Sequence, residues 1–210
     1  MLLFAYLAAA AAAIAAGLAG PPGFAAYALL KPLTTVLVIV HAARRGRPHQ
    51  RGRAALLAGL GLSLVGDVAL LWPQQGFLPG LVAFLLAHLA YLWAFTREVR
   101  FAADWRPFAV YGLVGAAVLA LLWPGVPPAL RGPVLAYLAC LASMAAQAAV
   151  VWRAGVRGGG LLALGGGLFL LSDALLATHK FAGPLPLATL WVLATYWAAQ
   201  WLIASSLPRR

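Results

Sequence analysis

The chain is built from apolar runs of about twenty residues, broken at short Gly- and Pro-rich intervals, and few folds accept that pattern. An α-helix needs about twenty residues to cross the hydrocarbon core of a bilayer. In lipid every backbone N–H and C=O must be satisfied internally, so only helices and closed barrels span it. Barrel strands alternate over about ten residues, whereas these runs are twice as long and do not alternate. Of the 210 residues, 64% are hydrophobic and 9% charged, against about 25% charged in soluble domains. The expectation is an all-α, polytopic membrane helical bundle forming a single integral membrane domain over residues 1–210.

Eight transmembrane helices are expected, at roughly 2–19, 24–41, 54–72, 77–96, 106–123, 130–152, 158–178 and 185–205. The breaks fall at Gly20-Pro-Pro-Gly23, at Pro73, between Pro124 and Pro128, and at Gly183-Pro-Leu-Pro186, where the chain cannot easily continue a helix. The first run lacks the basic flank of a secretory signal and other spans follow it, so it is read as a span. Twelve arginines fall in alternate loops and the tail: Arg44, Arg45, Arg47, Arg51 and Arg53, then Arg97, Arg100 and Arg106, then Arg153 and Arg157, then Arg209 and Arg210. The opposite side holds only Arg131 and Lys180. Positive charge collects on the cytoplasmic side of membrane proteins. The net charge of +11 is therefore assigned to topology rather than to nucleic acid, and both termini are expected in the cytoplasm. The Ala-, Gly- and Arg-rich composition suggests a bacterial host, and with it the cytoplasmic membrane.

Two stretches read almost alike: Gly61-Leu-Ser-Leu-Val-Gly-Asp67-Val-Ala-Leu-Leu71 and Gly167-Leu-Phe-Leu-Leu-Ser-Asp173-Ala-Leu-Leu176. Their aspartates lie 106 residues apart, and that offset carries spans one to four onto spans five to eight. A 4+4 parallel internal repeat is expected, with halves at about 1–105 and 106–210. Four helices per half is an even number, so the halves share orientation about an axis along the membrane normal.

Each aspartate lies inside an apolar run, where a carboxylate costs roughly 2.5 to 3.5 kcal/mol to insert at a helix centre. The chain has only four acidic residues and places two of them there. At about 1.5 Å per residue, Asp67 and Asp173 each fall about 7 Å from the outer end of their spans, Lys31 about 10 Å and His88 about 16 Å. One outward-opening cavity would gather all four. Two carboxyls in one low-dielectric site resist double ionisation, which leaves an acid and a base side by side. Asp67 and Asp173 are therefore the expected catalytic pair, against the alternative that each only satisfies a neighbouring helix. Lys31 either pairs with an aspartate or binds an anionic group. His88 and Tyr91 lie on one face of span four with Gly80, Phe84 and Phe95, and Tyr196 and Gln200 share a face of span eight. Polar packing between helices would explain these as well as a site does. The single cysteine, Cys140, rules out a Cys-based cluster. Asp67, Asp173 and His88 have ligand types that suit zinc, but no HxxxH or HExxH spacing supports a metal, and none is expected. Nor is there a P-loop or a GxSxG motif.

Lys31-Pro-Leu-Thr34, Gly66-Asp67-Val-Ala-Leu-Leu71, Phe77-Leu-Pro-Gly80 with Phe84, His88 and Tyr91, Leu171-Ser-Asp173 and Tyr196-Trp-Ala-Ala-Gln200-Trp-Leu-Ile203 together resemble the YhhN-like lysoplasmalogenase family, from about residue 28 to 205. The resemblance implies an eight-span membrane hydrolase. It would cleave the vinyl ether bond of a lysoplasmalogen to a fatty aldehyde and a glycerophosphocholine or glycerophosphoethanolamine. It implies a lysophospholipid substrate taken from membrane lipid, no organic cofactor, and no nucleic-acid partner. Vinyl ether hydrolysis requires an acid that protonates carbon and a base that activates water, roles that suit Asp67 and Asp173 in either order. Lys31 would hold the phosphate or tune the pair. Thr34, His88, Tyr91, Tyr196 and Gln200 would complete the substrate site. Two other readings compete. A small lipid or solute carrier would use the same midplane polar groups, and a metal-dependent lipid hydrolase would lose activity to a chelator.

Overall fold

The computed structural model describes residues 1–46, 50–72 and 74–208. Arg47, Pro73, Arg209 and Arg210 fall outside the described residues. The described chain forms eight α-helices: α1 (Leu2–Leu18), α2 (Phe24–Ala43), α3 (Arg53–Ala69), α4 (Phe77–Thr96), α5 (Arg106–Leu122), α6 (Pro128–Arg153), α7 (Gly159–Phe181) and α8 (Ala188–Ser205). Pro21–Gly23 and Trp123–Gly125 add short 3-10 turns. At both places proline has a fixed φ and no N–H, so it starts a helix more readily than it continues one.

Five of the eight helices are long and apolar enough to cross a membrane on their own: α2 with its leading turn, α4, α5 with its trailing turn, α6 and α7. The other three reach that character less fully. α1 and α3 have 17 residues each, and α8 gives positions to Tyr196 and Gln200. Large apolar side chains cover the outside of the bundle, among them Leu29, Leu89, Trp93, Leu113, Leu121 and Leu164. A soluble protein would hide such a surface, whereas lipid favours it. The chain is an integral membrane protein.

Consecutive helices pack as neighbours, α1 on α2, α3 on α4, α5 on α6 and α7 on α8, and longer-range contacts close the bundle, α1 and α2 on α8 and α4 on α6. Small residues allow the close approaches. A Cβ on Gly59 would lie 2.4 Å from the Tyr91 ring, and one on Gly66 would lie 2.5 Å from the Phe84 ring. The two glycines are seven residues apart, on one stripe of α3 that receives α4. Tyr91, Phe95, Phe169, Met144, Trp197 and Ile203 fill the centre.

The helix ends refine one expectation. α3 stops at Ala69, although Leu70, Leu71 and Trp72 continue the apolar run. The chain must turn there because Gly76 packs against the end of α3: a Cβ on it would lie 1.8 Å from the Ala69 carbonyl oxygen. Asp67 therefore sits in the last turn of α3. α7 runs on to Phe181, so Asp173 is eight residues inside its helix. The two carboxylates do not share the same distance from a helix end.

Candidate active site

Asp67 is 2% exposed and has three partners from two other helices. From α2, Lys31 Nζ lies 3.8 Å from Oδ1, and the Thr35 hydroxyl donates to Oδ2 at 2.6 Å. From α8, the Tyr196 phenol donates to the same Oδ2 at 2.8 Å. Lys31 and Thr35 are one helical turn apart, so a single face of α2 presents both to α3. Lys31 is 4% exposed. Two buried opposite charges attract strongly, but each has also lost its hydration. Such a pair holds together only where further hydrogen bonds complete its shell, as Thr35 and Tyr196 do here.

Behind these donors lies a buried polar relay. Trp197 Nε1 donates to Thr35 Oγ1 at 3.3 Å. Gln200 donates to the Tyr196 oxygen at 3.1 Å, and its carbonyl accepts from Tyr91 at 2.7 Å. Ser63 lies 3.4 Å from the Tyr91 oxygen. Each hydroxyl is thereby oriented, and an oriented network in low dielectric is stiffer than its separate bonds would be.

Asp173 stands in a different setting. It is half-buried, and its hydrogen-bond partner is the Tyr137 phenol of α6. Among the described residues no cation lies within ion-pair distance of it; the ion pairs are Lys31 with Asp67 and, at the surface, Arg153 with Asp104.

Both aspartates line one cavity of about 490 Å³, together with Lys31, Tyr196, His179 and Lys180. A second, strongly apolar cavity of about 350 Å³ lies between α4, α5, α6 and α7, walled by Val114, Val118, Leu138, Leu141 and Leu170. The two share Leu70, Phe77, Asp173 and Leu176. Asp173 is therefore the carboxyl group at which a polar chamber meets an apolar groove.

The other expected site residues do not all reach the cavity. Lys31 and Tyr196 are on the cavity wall with the aspartates. Tyr91 and Gln200 belong to the relay behind it. Thr34, one position from Thr35, turns away and donates to the Leu30 carbonyl at 2.8 Å. His88 is fully buried and lines neither cavity; its ring packs edge-on against Tyr137 at 5.2 Å and Phe169 at 4.6 Å. Neither ring nitrogen of His88 has a hydrogen-bond partner among the described residues. Among those residues no group of three or more His, Cys, Asp and Glu side chains converges.

Two residues have roles that sequence reasoning did not assign. Thr35 was visible beside Thr34, but choosing between them requires knowing which face of α2 meets α3. Tyr137 had a clearer signal, because the 106-residue offset that joins the aspartates also carries Lys31 onto Tyr137.

Fold and site together define a polytopic helical membrane protein with two carboxyl groups on one cavity, one of which also borders an apolar groove. The chain belongs to the YhhN family, whose profile matches residues 26–207. Among curated relatives, the lysoplasmalogenase TMEM86B of Sus scrofa is 39% identical over 182 residues, covering 83% of this chain and 71% of that protein. The lysoplasmalogenase TMEM86A of Homo sapiens is 35% identical over 167 residues, 72% of this chain and 64% of that protein. The uncharacterised membrane protein YhhN of Escherichia coli O157:H7 is 28% identical over 184 residues, 85% of this chain and 86% of that protein. The chain thus spans less than two thirds of the human relative's length. No solved structure matches the chain.

Proposed function

We propose that the protein is an ether hydrolase of the lysoplasmalogenase type, acting on the vinyl ether bond of a lysophospholipid. The carrying observation is the position of Asp173, a carboxyl group on the wall of both the polar chamber and the apolar groove. A lysoplasmalogen has that same division: one alkenyl chain, a reactive vinyl ether at its end, then glycerol and phosphate. With the chain in the groove and the glycerophosphate in the chamber, the vinyl ether lies beside Asp173, and Asp67 faces it from the chamber wall. Lys31 and Lys180 give that chamber its positive charge. The names of the mammalian relatives support the same reaction.

The reaction runs without a stable charged intermediate. An acid protonates the carbon next to the one bearing oxygen, an oxocarbenium ion forms, water adds, and the hemiacetal collapses to aldehyde and glycerol hydroxyl. A nearby carboxylate stabilises the cation and takes a proton from the water. Gln200 and Trp197 act at one remove, by holding the groups that hold Asp67, and Tyr91 acts through Gln200. The arginine-rich loops support a cytoplasmic location for both termini in a bacterial inner membrane, and the matched aspartates support two four-helix halves, 1–105 and 106–210.

The test is aldehyde release from a lysoplasmalogen by the purified, detergent-solubilised protein, with and without chelator. Chelator-resistant release is expected. Asp67→Asn and Asp173→Asn should each lower turnover by at least ~10²-fold, the usual worth of a general acid or base, with the helical circular dichroism unchanged. Full activity in either variant would sink the pair.

A further inference from the structure

The two carboxyl groups are chemically unequal, and the inequality assigns their roles. Asp67 is surrounded by groups that favour an anion. It has a cation 3.8 Å away and two hydroxyl donors on Oδ2. Both hydroxyls are in turn oriented from behind, by Trp197 and Gln200, so their O–H bonds are committed to the carboxylate. A protonated Asp67 would leave Lys31 as an uncompensated buried charge. Asp173 has the reverse surroundings. It borders an apolar groove and has one neutral donor, Tyr137, on Oδ2. Of the basic groups lining its chamber, Lys31 is paired with Asp67, Lys180 lies 4.0 Å over the Phe77 ring, and His179 accepts the Leu185 N–H on Nδ1. His88, on the far side of Tyr137, touches that residue through its ring edge. An ionised Asp173 would be a poorly solvated anion with a single hydrogen bond.

We infer that Asp173, oriented by Tyr137, is the protonated acid of the resting enzyme and delivers its proton to the vinyl carbon, while Asp67 is the resident carboxylate that accepts a proton from water. The assignment rests on the proposed reaction and adds to it. The cycle balances. The Asp173 proton and the π electron pair form the new C–H bond, and an oxygen lone pair completes the oxocarbenium ion. Water attacks the carbon that bears oxygen and gives one proton to Asp67. On collapse the C–O bond to glycerol breaks. The departing oxygen takes the proton from Asp67, and the hemiacetal hydroxyl returns its proton to Asp173. Both groups end as they began, with one water consumed. Tyr137 is a positioning residue: it occupies Oδ2 and leaves the other oxygen of Asp173 for the proton.

Infrared spectroscopy reads the resting protonation state without turnover. The chain has four acidic residues, and the two outside the pair are surface groups. Asp104 accepts the Arg106 N–H and pairs with Arg153, which hold its carboxyl below the ordinary range, and Glu98 is exposed. At neutral pH the full-length protein in lipid should show a protonated-carboxyl C=O stretch. The band should vanish in Asp173→Asn and persist in Asp67→Asn. Absence of the band in the unmodified protein, or its loss in Asp67→Asn, would overturn the assignment. Should Asp173→Asn not fold, Tyr137→Phe decides: it removes a hydrogen bond to the acid, so the band must move, and an unmoved band overturns the role of Tyr137. The same variant should lower kcat about tenfold, one hydrogen bond's worth, with KM unchanged. A band that behaves as stated in a protein that releases no aldehyde would refute the reaction and leave the protonation assignment standing.

Discussion

Asp67 and Asp173 are separated by 106 residues, and the same offset relates Lys31 to Tyr137. Lys31 of α2 reaches Asp67 of α3, and Tyr137 of α6 reaches Asp173 of α7. The framework is alike and the chemistry is not. Asp67 meets a cation and two hydroxyl donors, and Asp173 meets a phenol beside an apolar groove. Thr35 has Leu141 at the same offset, so Asp173 has no matching threonine donor. Two matched sequence stretches thus place their carboxyl groups in opposite surroundings, by changing what stands one helix away.

The strongest way to break this comparison is to remove the cation. Lys31→Met leaves a buried carboxylate without its partner, and losing one member of a buried ion pair costs about 3 to 5 kcal/mol. Unfolding in mixed detergent should register that loss. Adding Asp67→Asn to Lys31→Met should recover most of the stability, because the uncompensated charge is then gone. If the double variant is as unstable as Lys31→Met alone, Lys31 is a packing residue and the contrast between the two carboxyl groups loses its basis.

A smaller effect is expected at Thr35. Thr35→Val keeps the shape and removes the donor to Asp67 Oδ2. A hydrogen bond to a charged group is worth about 1.5 to 3 kcal/mol. Thr34→Val, one position away, removes only a bond to the Leu30 carbonyl of its own helix. It should cost well under half as much, measured in the same unfolding assay. Equal losses would mean that the Asp67 shell is no stronger than an ordinary helix contact.

Much of this architecture was legible in the sequence. Apolar run length located the helices to within about three residues, and the expense of intramembrane carboxylates picked out Asp67 and Asp173 before any contact was known. Three details were not. The apolar residues Leu70, Leu71 and Trp72 hid the end of α3, because hydrophobicity does not report the backbone turn that Gly76 requires. Thr34 and Thr35 differ by 100° of helical phase, and only the packing of α2 on α3 decides between them. The stripe Gly80, Phe84, His88, Tyr91 and Phe95 is buried throughout, as its spacing implies. Yet it is long enough to pass the chamber: Phe84 lines it, while His88 and Tyr91 lie behind it. Periodicity identifies a face but not the depth at which a cavity ends.

The smallest effect is also the most discriminating. Tyr137→Phe removes one hydroxyl from Asp173. If Asp173 is a neutral acid, the lost bond joins two neutral groups and is worth about 0.5 to 1.5 kcal/mol. If Asp173 is an anion, the bond is charge-assisted and its sole donor disappears, so the loss rises to about 1.5 to 3 kcal/mol. Thr35→Val supplies the reference for the charged case within the same molecule. The ratio of the two losses therefore measures the asymmetry directly. A Tyr137→Phe loss well below that of Thr35→Val keeps the two carboxyl groups distinct. A loss as large would make Asp173 a second carboxylate and leave the proton for vinyl ether cleavage to come from elsewhere.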